Sequence, residues 1–387
     1  MKIAMIYDMI YPFNVGGGEA RNYLLAKELI KRGHEVHFYG AKLWSGPKIL
    51  NYEGIIMHGV YKSRKLYKTS RRSYDEPVTF AFKLFKPLFK QDFDIIDCTA
   101  VPFFHTFICK FYSIIKKKPL ILTWHEVWDD YWKYYLGRKG VVGKVIERLV
   151  AKLSNNHIVV SERTKKRLLR INPKVKISVV SNAINLDLID SVKPVKEKYD
   201  LIYAGRLLPH KNVNFIIKAV RLLTQDFPDI RCLIIGEGPE KKKLIHLAEK
   251  LGVSNNIIFK DFLPIEEDVY AHMKSSKIFM FPSILEGFGI VVIEAMACGL
   301  PIIGVKHKWN AAEDIINENK AGFVVNESAE EIAEKVSYLL KKKISYKKFV
   351  GNNIVKVKKY KIEKIVKDIE EIYEKIKLIR SHGRVDK

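Results

Sequence analysis

Residues 282–301 read PSILEGFGIVVIEAMACGLP and follow the apolar run Ile278–Phe281. The run predicts a buried strand, Gly287 and Gly289 predict a turn, and a helix is expected to begin near Ile290. Glycines at such a helix start let backbone N–H groups approach an anion at the positive end of the helix dipole. A strand, a glycine turn and a helix in this order are typical of a parallel α/β sheet.

Two glutamates frame this helix start. Glu286 precedes the helix and Glu294 lies eight residues further on, on the order of 10–12 Å away at the rise of an α-helix. Glu294 is embedded in an apolar run, where an unpaired charge would be costly. An anion-binding helix start between two hydroxyl-binding carboxylates is the layout that a sugar–diphosphate–ribose requires. Surface charges without function are the alternative interpretation.

The same alternation of strands and helices extends over the rest of the chain. At 387 residues the protein exceeds what one core usually organises. We predict an α/β fold of two doubly wound, Rossmann-like parallel-sheet domains that face each other across a cleft, with ligands at the carboxyl ends of the strands. The expected parts are a first domain at 1–187, a linker at 188–198, a second domain at 199–358, and a C-terminal helix in 359–387 that packs back on the first domain.

Two further loops in the second half follow predicted strands. Gly205 ends the strand Asp200–Ala204, and Arg206 and Lys211 follow it. Two cations at this position could neutralise a diphosphate leaving group without a metal, although loop Arg and Lys residues are often only solvated. Gly236 belongs to a similar glycine turn.

In the first half, Gly16, Gly17 and Gly18 join the first predicted strand to the first helix. They permit close approach to a phosphate or a sugar, but the dinucleotide fingerprint is incomplete because Arg21 occupies the third glycine position. His125 directly follows the predicted strand Leu120–Thr123 and would face the cleft, where it is either catalytic or structural.

The balance of 68 basic and 43 acidic residues gives a net charge of +25, which favours an anionic partner. Basic residues are in excess at 62–72, 110–118 and 341–361, and no zinc-finger or RNP-type motif predicts a specific nucleic acid. Segment 80–90 interleaves phenylalanines with lysines. Such a segment lies in an anionic membrane interface or packs against its own domain.

The sequence has no run of about 20 apolar residues, and Met1–Tyr7 is interpreted as a strand rather than a signal peptide. We therefore expect a cytoplasmic protein, with peripheral attachment to the inner face of the membrane as an option. The four cysteines have no zinc spacing. Asp92-Phe-Asp94 has the pattern of a metal ligand, but it precedes a strand, at the edge opposite the cleft. No metal or other cofactor is expected.

Together, the glycine loop, the histidine after a strand, Gly-Arg…Lys and Glu-x7-Glu resemble the retaining GT-B-fold glycosyltransferases of the family 4-like group, also called glycosyl transferases group 1. This family includes bacterial mannosyl- and glucosyltransferases that act on lipids and polysaccharides. The resemblance covers nearly the whole chain. It departs from the family pattern at Glu126, where an aspartate is usual, and at Ser181–Ile184, where many members have Pro-Asn-Gly-Val.

The resemblance implies transfer of a hexose-type sugar from a UDP- or GDP-linked donor to a hydroxyl acceptor, with retention of configuration and without a metal. The catalytic residues would be His125 beside the donor sugar, Arg206 and Lys211 at the diphosphate, and Glu286 at the sugar hydroxyls. Donor contacts are assigned to the three N-terminal glycines and to Gly205, Gly236, Phe262, Leu263, Gly287, Phe288, Gly289, Ile290 and Glu294.

Two other classes of protein remain as alternatives from the sequence. A nicotinamide-dependent oxidoreductase shares the doubly wound architecture, but the incomplete glycine fingerprint and the lack of an acidic ribose ligand at a strand end count against it. A basic, non-enzymatic protein that binds membranes or nucleic acid would account for the charge. It would leave Glu286 and Glu294 unexplained.

Overall fold

The structure is a computed structural model that describes residues 1–62, 67–68, 71–72 and 75–382, with side chains described for 1–62 and 75–379. It divides into two compact units. The first consists of Met1–Ala183 together with the C-terminal segment from Ile362, and the second of Ile184–Lys361. The predicted basic cluster at 62–72 lies outside the described side chains from position 63 onward.

Parallel strands and the helices between them follow one another along the described chain. The strands are β1 Lys2–Ile6, β2 Glu35–Lys42, β3 Ile49–Tyr52, β4 Ile55–Lys62, β5 Tyr67–Lys68, β6 Arg71–Arg72, β7 Ile95–Thr99, β8 Leu120–Trp124, β9 Asn156–Val159, β10 Lys176–Val179, β11 Tyr199–Ala204, β12 Cys232–Ile235, β13 Ile257–Lys260, β14 Ser276–Phe281, β15 Leu285–Glu286, β16 Ile302–Val305, β17 Trp309–Asn310 and β18 Gly322–Val325. The helices are α1 Gly17–Lys31, α2 Asp75–Phe89, α3 Phe104–Ile115, α4 Tyr131–Leu136, α5 Gly140–Val150, α6 Glu162–Ile171, α7 Leu186–Ser191, α8 Asn214–Leu223, α9 Lys241–Lys250, α10 Glu266–Lys274, α11 Ile290–Ala297, α12 Ala312–Asn319, α13 Ala329–Lys341, α14 Lys343–Lys356 and α15 Ile362–His382.

The first unit contains an eight-stranded sheet in the order β10-β9-β8-β7-β1-β2-β4-β3. Neighbouring strands are parallel apart from β3, which pairs with β4 in an antiparallel hairpin. Alternate residues of β1 face two different cores: Ala4 and Ile6 pack with α2, α3 and α5, whereas Ile3 and Met5 pack with α1 and α15. Helices therefore cover both faces, which explains why the central strands are continuously apolar.

The second unit contains a six-stranded parallel sheet in the order β13-β12-β11-β14-β16-β18. Helices α8, α9 and α13 cover one face of this sheet, where Leu201, Tyr203 and Ile234 share a core with Ile216 and Val336. The short strands β15 and β17 form a separate parallel pair beyond the end of β14. The two parallel α/β units have the predicted fold class.

The predicted linker at 188–198 needs correction. Its first part belongs to α7, and Lys274 Nζ donates hydrogen bonds to the carbonyl oxygens of Ile189, at 2.5 Å, and Val192, at 2.8 Å. These bonds fix the segment on the second unit. The boundaries between the units accordingly fall at 183/184 and 361/362, rather than at 187/188, 198/199 and 358/359.

The C-terminal helix α15 packs on α1 in the first unit. Its buried residues follow helical spacing, with Ile362, Ile365, Ile369 and Tyr373 in the same core as Leu25. This spacing of three to four residues puts one apolar stripe against the sheet face and leaves the opposite stripe to charged residues.

Candidate active site

The second unit positions two loops side by side at the point where its strand order reverses. From β11 the chain continues to β12 and β13 on one side, and β14 then returns to the other side of β11. Loops that leave neighbouring strands in opposite directions open a crevice at the carboxyl ends of those strands. The backbone N–H of Ile284, after β14, donates to the carbonyl oxygen of His210, after β11, at 2.9 Å.

Lys211 and Glu286 form an ion pair in this crevice. Their side chains are only 16% and 15% exposed, so the pair is more shielded from water than an ordinary surface ion pair. Lys211 lies in the 3₁₀ turn Pro209–Lys211, and Glu286 lies in β15. The sequence predicted both residues as ligands of one donor molecule, and the structure brings them into direct contact.

Buried Asn310 supports the loop that carries Glu286. Its side-chain amide donates to the carbonyl oxygens of Ser283 and Val305, both at 2.9 Å. The Ala311 N–H also donates to the Glu286 carbonyl oxygen at 2.8 Å. With these groups paired, the loop has a defined conformation before any ligand binds.

Glycines bring the loops after β11 and β12 close together. A Cβ atom on Gly236 would lie 1.9 Å from the Gly205 carbonyl oxygen, and one on Gly238 would lie 2.3 Å from the Leu207 carbonyl oxygen. Side chains at either position would therefore force the loops after β11 and β12 apart. Because no side chain projects at these two glycines, a ligand can approach the backbone of the loops directly.

Helix α11 begins beside Glu286. Gly289 is its N-cap residue, with φ +89 and no side-chain hydrogen bond. Gly287 lies two residues before the cap, and Ile290 directly follows it. The Phe288 ring is buried edge-on against Tyr360 at a centroid distance of 5.9 Å, so its main chain rather than its ring is available to a ligand. The first turn of α11 thus presents backbone amides at the positive end of a helix.

Glu294 lies on α11, five residues after the N-cap Gly289, and is partly buried. The Tyr270 hydroxyl donates to Glu294 Oε1 at 3.2 Å and lies 3.4 Å from Glu266 Oε2. Burial and the nearby Glu266 carboxylate raise the pKa of Glu294 to about 8. Tyr270 and Glu266 were missed by the sequence reasoning, although their spacing of four residues puts both on one face of α10.

The remaining predicted residues of the second unit are more exposed to solvent than Lys211 and Glu286. Arg206 is exposed, and its carbonyl oxygen accepts a hydrogen bond from the Tyr203 hydroxyl at 3.0 Å. Phe262 is 48% exposed and Leu263 is half-buried, both just beyond the carboxyl end of β13. An exposed aromatic ring at a strand end offers a flat apolar surface to a ligand.

The first unit contains the other predicted residues, again where a strand order reverses, here between β1 and β7. Gly16 is the N-cap of α1, followed by Gly17 and Gly18. A Cβ atom on Gly18 would lie 3.2 Å from the Tyr7 hydroxyl and 3.4 Å from His125 Nε2. The glycine loop therefore lies directly against the histidine that follows β8.

The His125 ring is held in its neutral form. Burial, with a further contribution from the Arg21 guanidinium, lowers the pKa of His125 to about 3. Its Nε2 atom is buried and has no hydrogen-bond partner among the described residues. A neutral imidazole with an unused nitrogen can exchange a hydrogen bond with a ligand hydroxyl.

The Asp92-x-Asp94 pattern is occupied by structural contacts. Asp94 Oδ2 accepts from the Lys2 N–H at 2.8 Å, its Oδ1 pairs with Lys377 at 2.9 Å, and Asp92 pairs with Lys118 at 2.7 Å. These contacts lie at the amino ends of β1 and β7. Within the described ranges, no group of three or more His, Cys, Asp or Glu side chains has a geometry that could hold a metal ion.

Comparison with known proteins gives the family. Residues 15–188 match the family Glycosyltransferase Family 4, and residues 187–356 match the family Glycosyl transferases group 1. The chain therefore belongs to the group 1, family 4-like glycosyltransferases. Its two parallel-sheet α/β units are those of the GT-B fold, as the sequence predicted. This assignment rules out the oxidoreductase alternative as the class of the protein.

Relatives and solved structures match over nearly the whole chain. N-acetyl-alpha-D-glucosaminyl L-malate synthase of Bacillus anthracis is 24% identical, covering 97% of this chain and 98% of that protein. Sucrose-phosphate synthase of Thermosynechococcus elongatus has a TM-score of 0.80 at 17% identity, covering 97% and 98% of the two chains. HepE of Anabaena, solved with UDP and glucose, has a TM-score of 0.74 at 17% identity, covering 96% and 98%. The two solved structures share the fold of this chain.

Proposed function

We propose that this glycosyltransferase moves a hexose-type sugar from a UDP- or GDP-linked donor to a hydroxyl acceptor, with retention of configuration and without a metal ion. The observation that carries the proposal is the shielded Lys211–Glu286 pair beside the first turn of α11. It offers a cation to a phosphate and a carboxylate to a sugar hydroxyl at one position. Membership of the glycosyltransferase family and the UDP and glucose bound in the HepE structure support a nucleotide-sugar donor.

The diphosphate end of the donor would be held by positive groups. Lys211 and Arg206 would contact the phosphate oxygens, together with the amides near Gly289. When the bond between the anomeric carbon and the phosphate oxygen breaks, the bonding electrons leave with the nucleoside diphosphate. Fixed cations and amides stabilise this charge without reorganising, which is the largest catalytic effect in many enzymes.

The sugar and the ribose would be held by the two glutamates. Glu286 would accept hydrogen bonds from hydroxyls of the transferred sugar, and Glu294 would accept them from the ribose. Phe262 and Leu263 would lie along the base. His125 would exchange a hydrogen bond with the donor sugar through its unused Nε2 atom.

Retention would follow from attack on the face that the diphosphate leaves. The acceptor hydroxyl oxygen would bond to the anomeric carbon, and its proton would pass to the departing phosphate oxygen. This step needs no covalent sugar–enzyme intermediate. The proposal does not assign the acceptor beyond a hydroxyl compound, such as a lipid or a polysaccharide.

The test is turnover of a nucleotide-sugar by Lys211→Ala and Glu286→Gln, measured as release of nucleoside diphosphate in excess EDTA. Each change should reduce kcat by roughly 10²–10³-fold, the cost of losing one preorganised electrostatic contact. Lys277→Ala is the matched control. Lys277 also pairs with a carboxylate, that of Asp200, but this pair lies near the amino ends of β14 and β11, away from the crevice at their carboxyl ends. Near-normal turnover in both site variants would refute the site, and loss of wild-type activity restored by a divalent cation would refute metal independence.

A further inference from the structure

Helices α2 and α3 carry a surface that the proposed function does not use. They pack side by side on one face of the first sheet. Their buried residues, among them Phe80, Leu84 and Tyr112, join the core of that face. Many of their outward residues are also apolar, which is unusual for helices that face water.

The outward residues of α3 form one continuous apolar stripe. Phe104, Phe107, Phe111 and Ile114 are all exposed, and Ile114 is 56% exposed. Their spacing of three to four residues puts them on one side of the helix. A solvated helix normally has polar residues at these positions.

Helix α2 extends the same surface. Phe82 is 76% exposed, and the Phe85 ring stacks on Phe89 at 4.5 Å and lies 6.0 Å from the Phe111 ring. The two helices therefore present one connected surface, the α2–α3 face, rather than scattered apolar residues. Connected apolar patches of this kind mark interaction sites, whereas single exposed residues do not. The α2–α3 face consists of Phe82, Phe85, Phe89, Phe104, Phe107, Phe111, Ile114 and Ile115.

Lysines surround this face. Lys83, Lys86 and Lys90 are exposed along α2, and Lys110 and Lys116 belong to the α3 segment. Neither 77–91 nor 98–119 contains an Asp or a Glu. Long lysine side chains can lie along apolar surface while their ammonium groups reach an anionic layer.

The helix on the opposite face of the first sheet does not combine exposed apolar residues with an excess of lysines in this way. There α15 exposes mainly charged residues of both signs, including Lys364, Lys367, Asp368 and Glu371. Helix α5 covers the same side of the sheet as α2 and α3. It also exposes apolar residues, with Val141 and Val142 both more than 60% exposed.

We propose that the α2–α3 face docks the protein on an anionic lipid bilayer, with the phenylalanine rings in the interface and the lysines at the headgroups. Charge complementarity decides between a bilayer and a second copy of the chain. A two-fold contact between copies would bring the same lysine-rich surface against itself, with no carboxylates within these segments to compensate. The helices do not cross the bilayer: among the described residues, no helix is both long enough and apolar enough to span a membrane. The proposal does not depend on the proposed function.

The test is sedimentation of the full chain with vesicles of phosphatidylcholine, with and without about 30 mol% phosphatidylglycerol. Wild type should bind the anionic vesicles, and binding should weaken between about 0.05 and 0.5 M NaCl. The triple change Lys83→Gln, Lys86→Gln and Lys90→Gln should reduce affinity by about 100-fold. Its matched control is Lys364→Gln, Lys367→Gln and Lys375→Gln, which removes the same charge from α15 and should have little effect.

The apolar contribution needs its own pair of variants. Phe82→Ser, Phe111→Ser and Ile114→Ser together should reduce affinity by at least about 10-fold, whereas Ile344→Ser, Ile354→Ser and Val355→Ser on α14 should not. Unchanged melting curves would show that the variants are folded. Wild type that stays free of anionic vesicles, α2–α3 variants that bind like wild type, or wild type that self-associates through these residues would each overturn the proposal.

Discussion

The carboxyl group of Glu294, on α11, accepts a hydrogen bond from the Tyr270 hydroxyl, on α10, and burial raises the pKa of Glu294 from 4.5 to about 8. The folded protein therefore binds a proton here that the unfolded chain releases at lower pH. The resulting contribution to stability is fully present below about pH 4.5 and is lost as the pH rises through about 8. The ionised form would accept the stronger hydrogen bonds from a ribose.

We expect Glu294→Gln to separate these two effects. The variant should melt at a higher temperature than wild type at pH 8.5, and the difference should shrink toward pH 5, where the wild-type carboxyl is neutral. Nucleotide-sugar affinity should fall roughly 10- to 100-fold, the loss of hydrogen bonds to a charged group. Thermal melts and calorimetric titration measure the two effects. Unchanged affinity would show that Glu294 is a structural residue only.

His125 provides a second test at this scale. Because burial and Arg21 lower its pKa to about 3, its ring should remain neutral at every pH from 5 to 9. Long-range ¹H–¹⁵N spectra of the histidine rings, assigned with His125→Gln, should show a neutral tautomer at pH 5.5. A doubly protonated ring at that pH would contradict the burial of the site.

From the sequence, residue types and their positions after strands predicted the candidate site residues, but they did not predict which of these residues contact each other. Lys211 and Glu286 were expected to bind different parts of one ligand, and their direct contact links positions 75 residues apart. Tyr270 has no motif of its own, and only the packing of α10 beside α11 brings it to Glu294. Such contacts depend on tertiary packing, which local periodicity does not record.

At the level of elements, the site of the second unit depends on turns that only glycine accommodates. Gly289 has φ +89, and a Cβ atom there would lie 2.8 Å from Ala312 Cβ. The residue thus sets both the start of α11 and its distance from α12. Any displacement of the helix start would move the backbone amides offered to a phosphate.

We expect Gly289→Ala to lower both stability and nucleotide affinity. Gly252→Ala is the matched control, because Gly252 also has positive φ, at +67, but its Cβ would meet open space. Each change should cost about 1–2 kcal/mol of unfolding free energy from backbone strain, with an additional clash only at position 289. Denaturant unfolding measures the loss of stability in each variant, and nucleotide titration measures the loss of affinity. Equal nucleotide affinity in both variants would argue against a role for the α11 start.

Continuous apolar runs predicted the central strands well, because buried parallel strands have little else in their sequence. The hairpin of β3 and β4 was not predicted. Its strand β3 alternates between exposed and half-buried residues over only four positions, so its apolar signal is weak. Residues 188–191 of helix α7 were predicted as linker because the segment up to position 198 carries several charges and Pro194. Its attachment depends on Lys274 from a distant helix.

At the scale of the whole molecule, each unit has its own strand-order reversal with glycines and charged or polar residues beside it. In the first unit, His125 and the N-terminal glycine loop lie at the reversal. In the second unit, Lys211 and Glu286 lie at the reversal, and Glu294 follows on α11. The division of the chain into two units matches the two segments that the family models cover, which meet near residue 187.

Calorimetric titration of the full chain with UDP-, GDP- and ADP-hexoses, in excess EDTA, tests the central claim most directly. Wild type should bind at least one of the UDP- and GDP-linked donors, in competition with the matching nucleoside diphosphate, and Lys211→Ala should weaken that binding by at least about 10-fold. If wild type binds none of the three, or if Lys211→Ala binds as tightly as wild type, the crevice between β11 and β14 is not the donor site.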